Sequence, residues 1–400
     1  MNKIRNKNIK KFGTFEVIIL LLLTLIISFS AGMLLNMKQN KQTEKDDKYL
    51  ESFKENYNHI LENYYEEVDK KVLIENAIKG MVESLGDEYS TYIDNSESDL
   101  FDKTLDGSYK GVGVAITKDS KGNIVIIDIF KDSPAENADL KVMDIIKKIN
   151  NKEIKNVEPS DVTELIKKAA DKEFTMTIER DGKTLTKRIK SSMVTIKSVS
   201  HELIEEDGKK IGYISIDLFA LNTGVQFKEA IKELEKQKMT TLIIDVRDNG
   251  GGHLATAKEI SSLLLDSKKV IYQTQIKEEK TKVYSTGKET KTYPIIFLTN
   301  KNTASGSEVL VSAIKDNDNR TLIIGEKTFG KGTVQELTKV TSSSQYKVTT
   351  KKWLTPKGTW IHEKGIKPNV EVKLSDEYKK DPTRKNDNQL RMAIDKAKGI

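Results

Sequence analysis

The chain has 400 residues, of which 37% are hydrophobic and 32% charged, and its length predicts several domains of about 100–200 residues each. It contains no cysteine, which excludes disulfides, thiolate nucleophiles and cysteine-based metal sites. The formal net charge of +7 comes from lysines interleaved with acidic residues and accompanies no nucleic-acid-binding motif, so nucleic acid is not an expected partner.

An uncharged, strongly apolar segment covers residues 17–35, close to the roughly 20 residues that a helix needs to cross a bilayer. Basic residues precede it: Lys3, Arg5, Lys7, Lys10 and Lys11. Because such residues favour the cytoplasmic side, we expect residues 1–37 to be a basic cytoplasmic stub followed by a single transmembrane helix. The rest of the protein is then extracytoplasmic at the cell membrane. A signal peptide cleaved within residues 28–32 is the alternative.

Residues 38–100 combine a polar linker with a helical region. Between residues 49 and 85 the apolar side chains recur at helical spacing, with a break near residues 69–71. We therefore expect two N-terminal helices.

Residues 101–192 form a second unit with strand-like alternation. A glycine-containing loop is followed by an apolar strand at 123–130, a Ser-Pro-Ala turn into a helix, and strands at 174–180 and 185–189. This order resembles a PDZ domain in its permuted bacterial form. Asp139 and Met143 stand where that family usually has glycine.

The loop of Gly111, Val112, Gly113 and Val114 is the candidate peptide-binding site. The terminal carboxylate of a peptide needs converging backbone N–H groups, and glycine lets the chain turn them inward. A tight turn without a ligand is the alternative. In its PDZ-like context we expect this loop to bind substrate tails.

Residues 193–372 alternate strands and helices, and residues 373–400 are a charged helical tail. The predicted strands are 212–216, 241–246, 294–298 and 321–325, and the predicted helices are 225–236, 254–265 and 305–315. This pattern indicates an α/β core with its site at the carboxyl ends of the strands.

The sequence Thr-Ala-Ser-Gly-Ser-Glu, residues 303–308, places Ser305 at the N-terminus of a predicted helix. Ser305 could simply cap that helix, with Glu308 as the capping-box partner. The small neighbours Ala304 and Gly306 leave room for a substrate backbone, and the Gly306 N–H could stabilise an oxyanion. Ser305 is therefore a candidate nucleophile.

Lys331 lies between Gly330 and Gly332, just beyond a buried strand. A solvated surface lysine is the alternative, but burial would lower the lysine pKa and let a neutral amine accept the serine proton. Ser–Lys pairs are a known variant of the serine triad. Gln335, four residues later, would lie on the same strand face and could orient the amine.

Three glycines within residues 245–254 bring the backbone close to any ligand, and Gly251 and Gly252 are candidates for the second oxyanion donor. The Gly-Lys-Ser/Thr signature of a phosphate loop is absent. His253 and His362 offer a rival Ser-His-Asp triad, although no Gly-x-Ser-x-Gly elbow surrounds Ser305.

Together these motifs resemble the carboxyl-terminal processing peptidases, Ser–Lys proteases with an inserted PDZ domain. The matching runs are residues 245–254, 328–335, 353–361 and 365–369. The resemblance implies that Ser305 is the nucleophile, Lys331 the general base and Gln335 the supporting residue. It also implies cleavage near protein C-termini, with the PDZ domain selecting the tail. Gly306 replaces the usual alanine, Gly250 the usual proline, and residues 315–320 hold one extra residue.

We therefore expect a multidomain α+β protein: an α/β peptidase core, an inserted β-rich PDZ domain, N-terminal helices and one transmembrane helix. The expected function is a membrane-anchored serine endopeptidase that needs no cofactor or metal. Its expected partners are proteins with free C-terminal tails, the membrane, and a second copy of the chain through residues 49–85 and 385–398. The alternative is a membrane-tethered PDZ scaffold with an inactive peptidase-like domain.

Overall fold

The computed structural model describes residues 48–93, 105–169, 172–340 and 344–400. The predicted transmembrane segment at residues 17–35 lies outside these residues. Within the described ranges, no helix combines the length and the apolar character needed to cross a bilayer. The described residues divide into two compact units, with the boundary between Ile78 and Lys79.

The N-terminal region is helical, as its spacing predicts. Residues 48–63 form helix α1, and helix α2 (Lys70–Glu83) follows a break at residues 64–69. The Asp69 carboxylate accepts hydrogen bonds from the N–H groups of Lys71 (2.8 Å) and Val72 (3.2 Å). It therefore caps α2 and explains why the chain breaks there.

An antiparallel sheet of six strands forms the region expected to be a PDZ domain. In chain order the elements from α2 onward are β1 (Thr91–Ile93), β2 (Ser108–Gly111), β3 (Val114–Lys118), β4 (Ile124–Ile129), α3 (Pro134–Asn137), β5 (Ile145–Ile149), β6 (Lys152–Glu153), α4 (Pro159–Ala169), β7 (Phe174–Arg180), β8 (Lys183–Ile189) and β9 (Ser192–Thr195). The sheet order is β3-β4-β5-β7-β8, with β6 paired to β5. The inward side chains of β4 and β7, among them Ile126, Met176 and Ile178, are fully buried in its core. Strands β2 and β9 pair with each other at the two ends of this region.

Asp139 and Met143, which replace the usual glycines of the PDZ pattern, both adopt the left-handed backbone conformation, with φ of 56° and 75°. A residue with a Cβ pays of order 1–3 kcal/mol for such a conformation. Asp139 is held by Arg180, which donates to its carbonyl (2.7 Å), and by Lys187, which donates to its carboxylate (2.8 Å). The fold thus keeps these turns without glycine.

The remaining chain builds an α/β region and a C-terminal tail. Its elements in chain order are β10 (Val199–Glu206), β11 (Lys209–Ile216), α5 (Thr223–Lys236), β12 (Thr241–Asp245), α6 (Leu254–Leu264), β13 (Val270–Ile276), β14 (Glu279–Tyr284), β15 (Ile295–Thr299), α7 (Gly306–Asn317), β16 (Leu322–Gly325), β17 (Thr333–Lys339), β18 (Gln345–Leu354), β19 (Val370–Glu371), α8 (Asp376–Lys380) and α9 (Asn388–Lys398).

The central sheet has the order β10-β11-β12-β15-β16-β19 and is parallel from β11 onward. Strands β12 and β15 are buried along their whole length, as expected for a sheet covered on both faces. Ile244 and Phe297 pack in one cluster with residues of α5, α6 and α7, whereas Ile243 and Ile296 pack with residues of α9. The charged tail therefore ends in a helix that covers one face of the sheet.

A second sheet consists of β1, β13, β14, β17 and β18, and apart from the strand expected around Gln335 it has no counterpart among the predicted elements. Its path is β1-β18-β13-β14, with β17 also paired to β18. Strand β18 is rich in lysine and threonine, which do not alternate with apolar residues, and most of it is half-exposed. Its sequence therefore carries little of the apolar periodicity that identifies a strand. Only its tertiary pairing defines it.

The carboxyl ends of three neighbouring parallel strands bring the sequence motifs together. The glycine-rich residues 246–253 follow β12, residues 300–305 follow β15, and residues 326–332 follow β16. Because these strands are adjacent and parallel, their loops leave the sheet at one edge. The extra residue expected within residues 315–320 falls at the end of α7 and in the turn before β16, away from this edge.

A buried ion network fastens the tail to the central sheet. Arg247 donates from Nη2 to Asp245 (2.6 Å) and to Asp387 (2.7 Å), and from Nη1 to Gln389 (3.0 Å). Both carboxylates are less than a tenth exposed. Removing the guanidinium would leave two buried carboxylates without a cation.

We therefore expect Arg247→Met to lower the free energy of unfolding by about 3–5 kcal/mol, the usual cost of breaking a buried ion pair. Urea unfolding followed by circular dichroism measures it. The matched control is Asp376→Ala, which breaks the exposed pair with Lys379 and should cost less than about 1 kcal/mol. Equal losses in the two variants would contradict the assignment.

Candidate active site

A cavity of ≈ 530 Å³ opens where the three loops meet. Its lining includes the sequence-predicted residues Ser305, Lys331, Gln335, Gly251, Gly252 and His253. Apolar side chains form much of the remaining wall, among them Leu218, Leu254 and Val334. The fold thus gathers the candidate catalytic residues from three separate loops into one place.

Ser305 lies at the N-cap position of α7 in an unusual backbone conformation, with φ of 54° and ψ of −116°. An N-cap residue normally has extended dihedral angles, and a non-glycine residue with positive φ is held there at a cost. Ser305 and Glu308 are arranged as a capping box, although the Ser305 hydroxyl makes no cap hydrogen bond of normal geometry. Such strain is typical of a functional position rather than of a simple cap.

Glu308 is fully buried in the first turn of α7. Its Oε2 accepts from the N–H groups of Ser305 and Lys331, both at 2.9 Å. Its Oε1 accepts from the Gly330 N–H (2.8 Å) and the Thr328 hydroxyl (2.6 Å). Burial raises the pKa of Glu308, and these four hydrogen bonds oppose that rise. The sequence indicates only the capping contact to Ser305, because the other three donors lie 20, 22 and 23 positions away, in the loop that follows β16.

Lys331 is half-buried beside Ser305 in the cavity. Burial lowers its pKa below the ordinary lysine value, and the positive charge of Lys347 lowers it further. The negative charges of Asp87 and Glu308 act in the opposite direction. The net lowering makes the neutral amine, which can accept a proton, available at lower pH than for a surface lysine.

The backbone around Lys331 is fixed by side chains from later in the chain. The Lys331 carbonyl accepts from the Trp353 indole N–H (2.7 Å), and the Gly332 carbonyl accepts from that of Trp360 (2.9 Å). Gly330 has φ of 94°, and a Cβ there would come within 2.7 Å of the Gly365 nitrogen. The glycine and the two tryptophans thus hold the lysine in one orientation.

Tyr89 is a contact that the sequence did not indicate. The Lys331 Nζ lies 4.9 Å from the centroid of its ring. Burial, with a hydrogen bond to Glu88, raises the pKa of Tyr89 to about 12, so the ring is neutral and attracts an ammonium group only through its π face. Tyr89 reaches the site because β1, which follows it, pairs with β18.

Gln335 lines the cavity with Lys331, but its amide points to other partners. Its Nε2 donates to the Thr333 hydroxyl (2.9 Å) and the Thr349 hydroxyl (3.0 Å). Lys331 precedes β17, and the strand has a register shift between Val334 and Gln335. The simple alternation that would place both residues on one strand face therefore does not apply, and the orienting role of Gln335 stays a prediction.

The three predicted oxyanion donors surround Ser305, but they are not equivalent. The Gly251 N–H donates to the Asn249 side chain (2.8 Å), so it is already engaged. With φ of 102°, Gly251 also leaves no room for a Cβ, which would lie 2.8 Å from the Gly306 nitrogen. We therefore assign Gly251 to close packing against Ser305 and keep Gly252 and Gly306 as the candidate donors.

Neither histidine of the rival triad has the partner it would need. His362 accepts from the Gly332 N–H at Nδ1 (3.3 Å) and stacks on Trp360, so it supports the loop that carries Lys331. His253 lines the cavity, and its Nε2 is buried without a hydrogen-bond partner. Among the residues that the structure describes, no carboxylate is hydrogen-bonded to either imidazole. A Ser-His-Asp triad requires that bond, so the structure does not support it.

The glycine-containing loop of the PDZ-like region is held through its carbonyl groups. The Val112 carbonyl accepts from the Ala135 N–H (2.8 Å), and the Gly113 carbonyl accepts from the Phe130 N–H (3.0 Å). Gly111 ends β2 and Val114 begins β3. The loop is thus a rigid turn between two strands, and its binding of a carboxylate stays a prediction.

A second cavity of ≈ 360 Å³ lies beside the Arg247 network. Its buried charged groups are already paired, since Arg247 binds Asp245 and Asp387, and the Tyr213 hydroxyl donates to Asp245 (2.9 Å). We assign no chemistry to it.

Comparison with known proteins agrees with this geometry. Residues 210–372 match the model of peptidase family S41, residues 111–190 that of the PDZ domain, and residues 28–97 that of the N-terminal domain of the activating protease CtpB. The chain is 35% identical to the carboxy-terminal processing protease CtpB of Bacillus subtilis (strain 168) over 339 residues, which cover 84% of this chain and 70% of that protein. It is also 35% identical to the carboxy-terminal processing protease CtpA of the same strain over 356 residues, 88% of this chain and 74% of that protein.

A solved structure from Bacteroides fragilis NCTC 9343, ascribed to the S41 proteases, covers 80% of this chain and 90% of its own at a TM-score of 0.50 and 18% identity. That likeness concerns the fold alone.

Because neighbouring charges shift the Lys331 pKa in opposite directions, the effect of removing the Lys347 charge can be predicted. Its positive charge lowers the Lys331 pKa, so Lys347→Met should raise that pKa. Since a base must be unprotonated, the rising limb of peptide cleavage against pH should then move to higher pH, and activity at neutral pH should fall. The measurement is the pH dependence of kcat/KM.

The matched control for this prediction is Lys339→Met, which neutralises an exposed lysine at the end of β17. That variant should leave the pH limb where it is. A limb that stays in place in the Lys347 variant would show that its charge does not act on the base.

Proposed function

The chain belongs to the S41 family of carboxy-terminal processing serine proteases, with a PDZ domain, and from this premise we propose a membrane-anchored, extracytoplasmic endopeptidase. It cleaves proteins near their C-termini through the pair Ser305 and Lys331. The observation that carries the proposal is that a strained serine and a lysine with a lowered pKa line one cavity.

The proposed reaction begins when the neutral Lys331 amine takes the proton of the Ser305 hydroxyl. The Ser305 Oγ attacks the scissile carbonyl, and the resulting ammonium returns the proton to the leaving amine. Water then hydrolyses the acyl-enzyme, with Lys331 again acting as the base. The lowered pKa matters at both stages, because only the uncharged amine can accept a proton.

The N-terminus of α7 supports the developing negative charge. Ser305 precedes the first turn of this buried helix, where the helix dipole and free N–H groups favour an anion. We propose that the N–H groups of Gly306 and Gly252 bind the oxyanion, because the two backbones approach closely around Ser305. A donor of this type contributes about 10²–10³ to kcat.

The PDZ domain supplies the proposed selection of the substrate tail. A free carboxylate would be bound by the N–H groups of the loop of Gly111, Val112, Gly113 and Val114, whose carbonyls are used elsewhere in the fold. The apolar wall of the catalytic cavity then favours uncharged side chains at the cleavage point.

The apolar residues 17–35 and the basic residues before them support a retained membrane anchor. We also propose a homodimer through α1. This helix leaves large apolar side chains exposed: Tyr49 (76%), Leu50 (67%), Phe53 (45%) and Ile60 (44%). An exposed apolar helix face of this kind usually marks an interaction surface.

The dyad is tested with Ser305→Ala and Lys331→Ala. We expect each to reduce cleavage of an unfolded protein substrate by at least about 10⁴-fold, because nucleophile and base act as a unit. Fragments are identified by mass spectrometry, and circular dichroism checks the fold. Turnover by the Lys331→Ala protein at the wild-type rate would reject the proposed base.

The control for the dyad test is His253→Ala, since His253 lines the same cavity but has no role in the proposed chemistry. It should retain most of the activity. A loss equal to that of Ser305→Ala would favour a histidine mechanism, and a wild-type protein without any cleavage would favour the scaffold alternative.

The PDZ role predicts that a substrate with an amidated C-terminus is cleaved with a higher KM than the same peptide with a free carboxylate. Amidation removes the charge that the Gly111–Val114 loop would bind. The measurement compares KM and kcat for the two peptides. Identical KM values would reject recognition of the carboxylate.

A further inference from the structure

Glu308 is a charged group buried between the two proposed catalytic residues, yet the proposed chemistry does not use it. Its carboxylate is fully buried, and among the described residues its hydrogen-bond donors are three backbone N–H groups and one hydroxyl, none of them a cationic side chain. A buried, unpaired carboxylate is costly. The cost is offset only in part, since the Glu308 pKa stays raised, by its four hydrogen bonds and by its place at the positive end of α7.

The four donors require an ionised carboxylate. Two carboxylate oxygens offer about four lone-pair positions, and each position here faces an N–H or O–H group. The Thr328 hydroxyl accepts from the Ile366 N–H (2.7 Å) and therefore directs its own proton to Glu308. A protonated acid or an amide has fewer acceptor positions and cannot satisfy all four donors.

The Oε2 atom is the feature that matters for catalysis. It accepts from the N–H of Ser305 and from the N–H of Lys331, which belong to loops that follow different strands. The Phe329 N–H also joins these loops, through the Thr303 carbonyl (2.9 Å), but that contact lies two residues away from each catalytic residue. Glu308 instead binds the backbone of the serine and of the lysine directly.

We propose that Glu308 is a positioning residue, whose Oε2 sets the separation and orientation of the Ser305 and Lys331 backbones. The proposal rests on the Ser305–Lys331 mechanism given above. Glu308 touches neither the substrate nor the reacting atoms, and it acts through the two residues that do.

The Glu308 carboxylate does not serve to activate the Lys331 amine. Its negative charge stabilises the ammonium form of Lys331 and so raises the pKa that burial lowers. A group selected to activate the base would carry no negative charge here. The remaining benefit is geometric, and a displacement of about 1 Å in a catalytic group can cost 10²-fold in rate.

The test is Glu308→Gln in the full-length chain purified in detergent, assayed on a peptide with a free C-terminus. Glutamine keeps the volume but turns an NH₂ group toward one pair of donors, so the bonds at one oxygen are lost. We expect kcat to fall by about 100-fold or more, with KM little changed. Because a negative charge is removed, the rising limb of kcat against pH should also move to lower pH.

These two readouts separate positioning from general damage. A partly unfolded protein would lose activity by the same factor at every pH, and its limb would not move. The matched control is Thr328→Val, which removes one donor of Oε1 but leaves both bonds of Oε2. Its loss of kcat should be at least about tenfold smaller than that of Glu308→Gln.

If Glu308→Gln does not fold, Glu308→Asp decides the question, because it keeps the charge and withdraws the oxygens by one methylene. Glu308→Asp should lower kcat, and the rising limb of kcat against pH should stay where it is in the wild type. Near wild-type kcat in Glu308→Gln or Glu308→Asp, or an equal loss in Thr328→Val, would overturn the positioning role. Activity in Ser305→Ala or Lys331→Ala would instead reject the Ser305–Lys331 dyad. Failure of the positioning role and failure of the dyad are therefore distinguishable.

Discussion

The buried Glu308 carboxylate accepts four hydrogen bonds that join the loop of Ser305 to the loop of Lys331. The central sheet places these two loops near each other but does not connect them. Parallel pairing of β15 and β16 places both loops at one edge, and one oxygen then binds the backbone N–H of Ser305 and of Lys331. The indole N–H groups of Trp353 and Trp360 hold the loop that carries Lys331 through its carbonyl groups. The site is thus built on buried groups with little freedom to move, as catalytic geometry requires.

The electrostatics of the site balance opposing effects on Lys331. Burial and the charge of Lys347 lower its pKa, whereas Asp87 and Glu308 raise it, and the Tyr89 ring favours the ammonium form. Because both carboxylates favour the ammonium form and burial is the largest cause of the lowering, the amine is activated mainly by desolvation. If Lys331 is the base, as proposed, this explains why it lies in a half-buried cavity rather than on an open surface.

The chain segments that flank the PDZ domain lie next to the candidate site. The segment before it supplies Tyr89 and β1, which pairs with β18, and the segment that leads into it supplies Leu105 to the cavity wall. Strands β2 and β9 then bring both ends of the insertion together. A single chain therefore connects the proposed tail-binding loop to the catalytic cavity through short, hydrogen-bonded segments.

The sequence by itself determined the parts that local patterns encode. Buried strands such as 241–245 and 295–299 carry continuous apolar runs, helices carry their periodicity, and glycines mark the turns around Ser305 and Lys331, so the α/β core and the candidate nucleophile and base could be predicted. The tertiary structure alone decided what depends on contacts between distant residues. These contacts are the second sheet, the Tyr89 contact, the four partners of Glu308, the engaged N–H of Gly251 and the side-chain partners of Gln335. A hydrogen bond between residues far apart in the chain leaves no periodic pattern in the sequence. Each of its two residues fits the helix, strand or turn in which it lies, so nothing local identifies its partner.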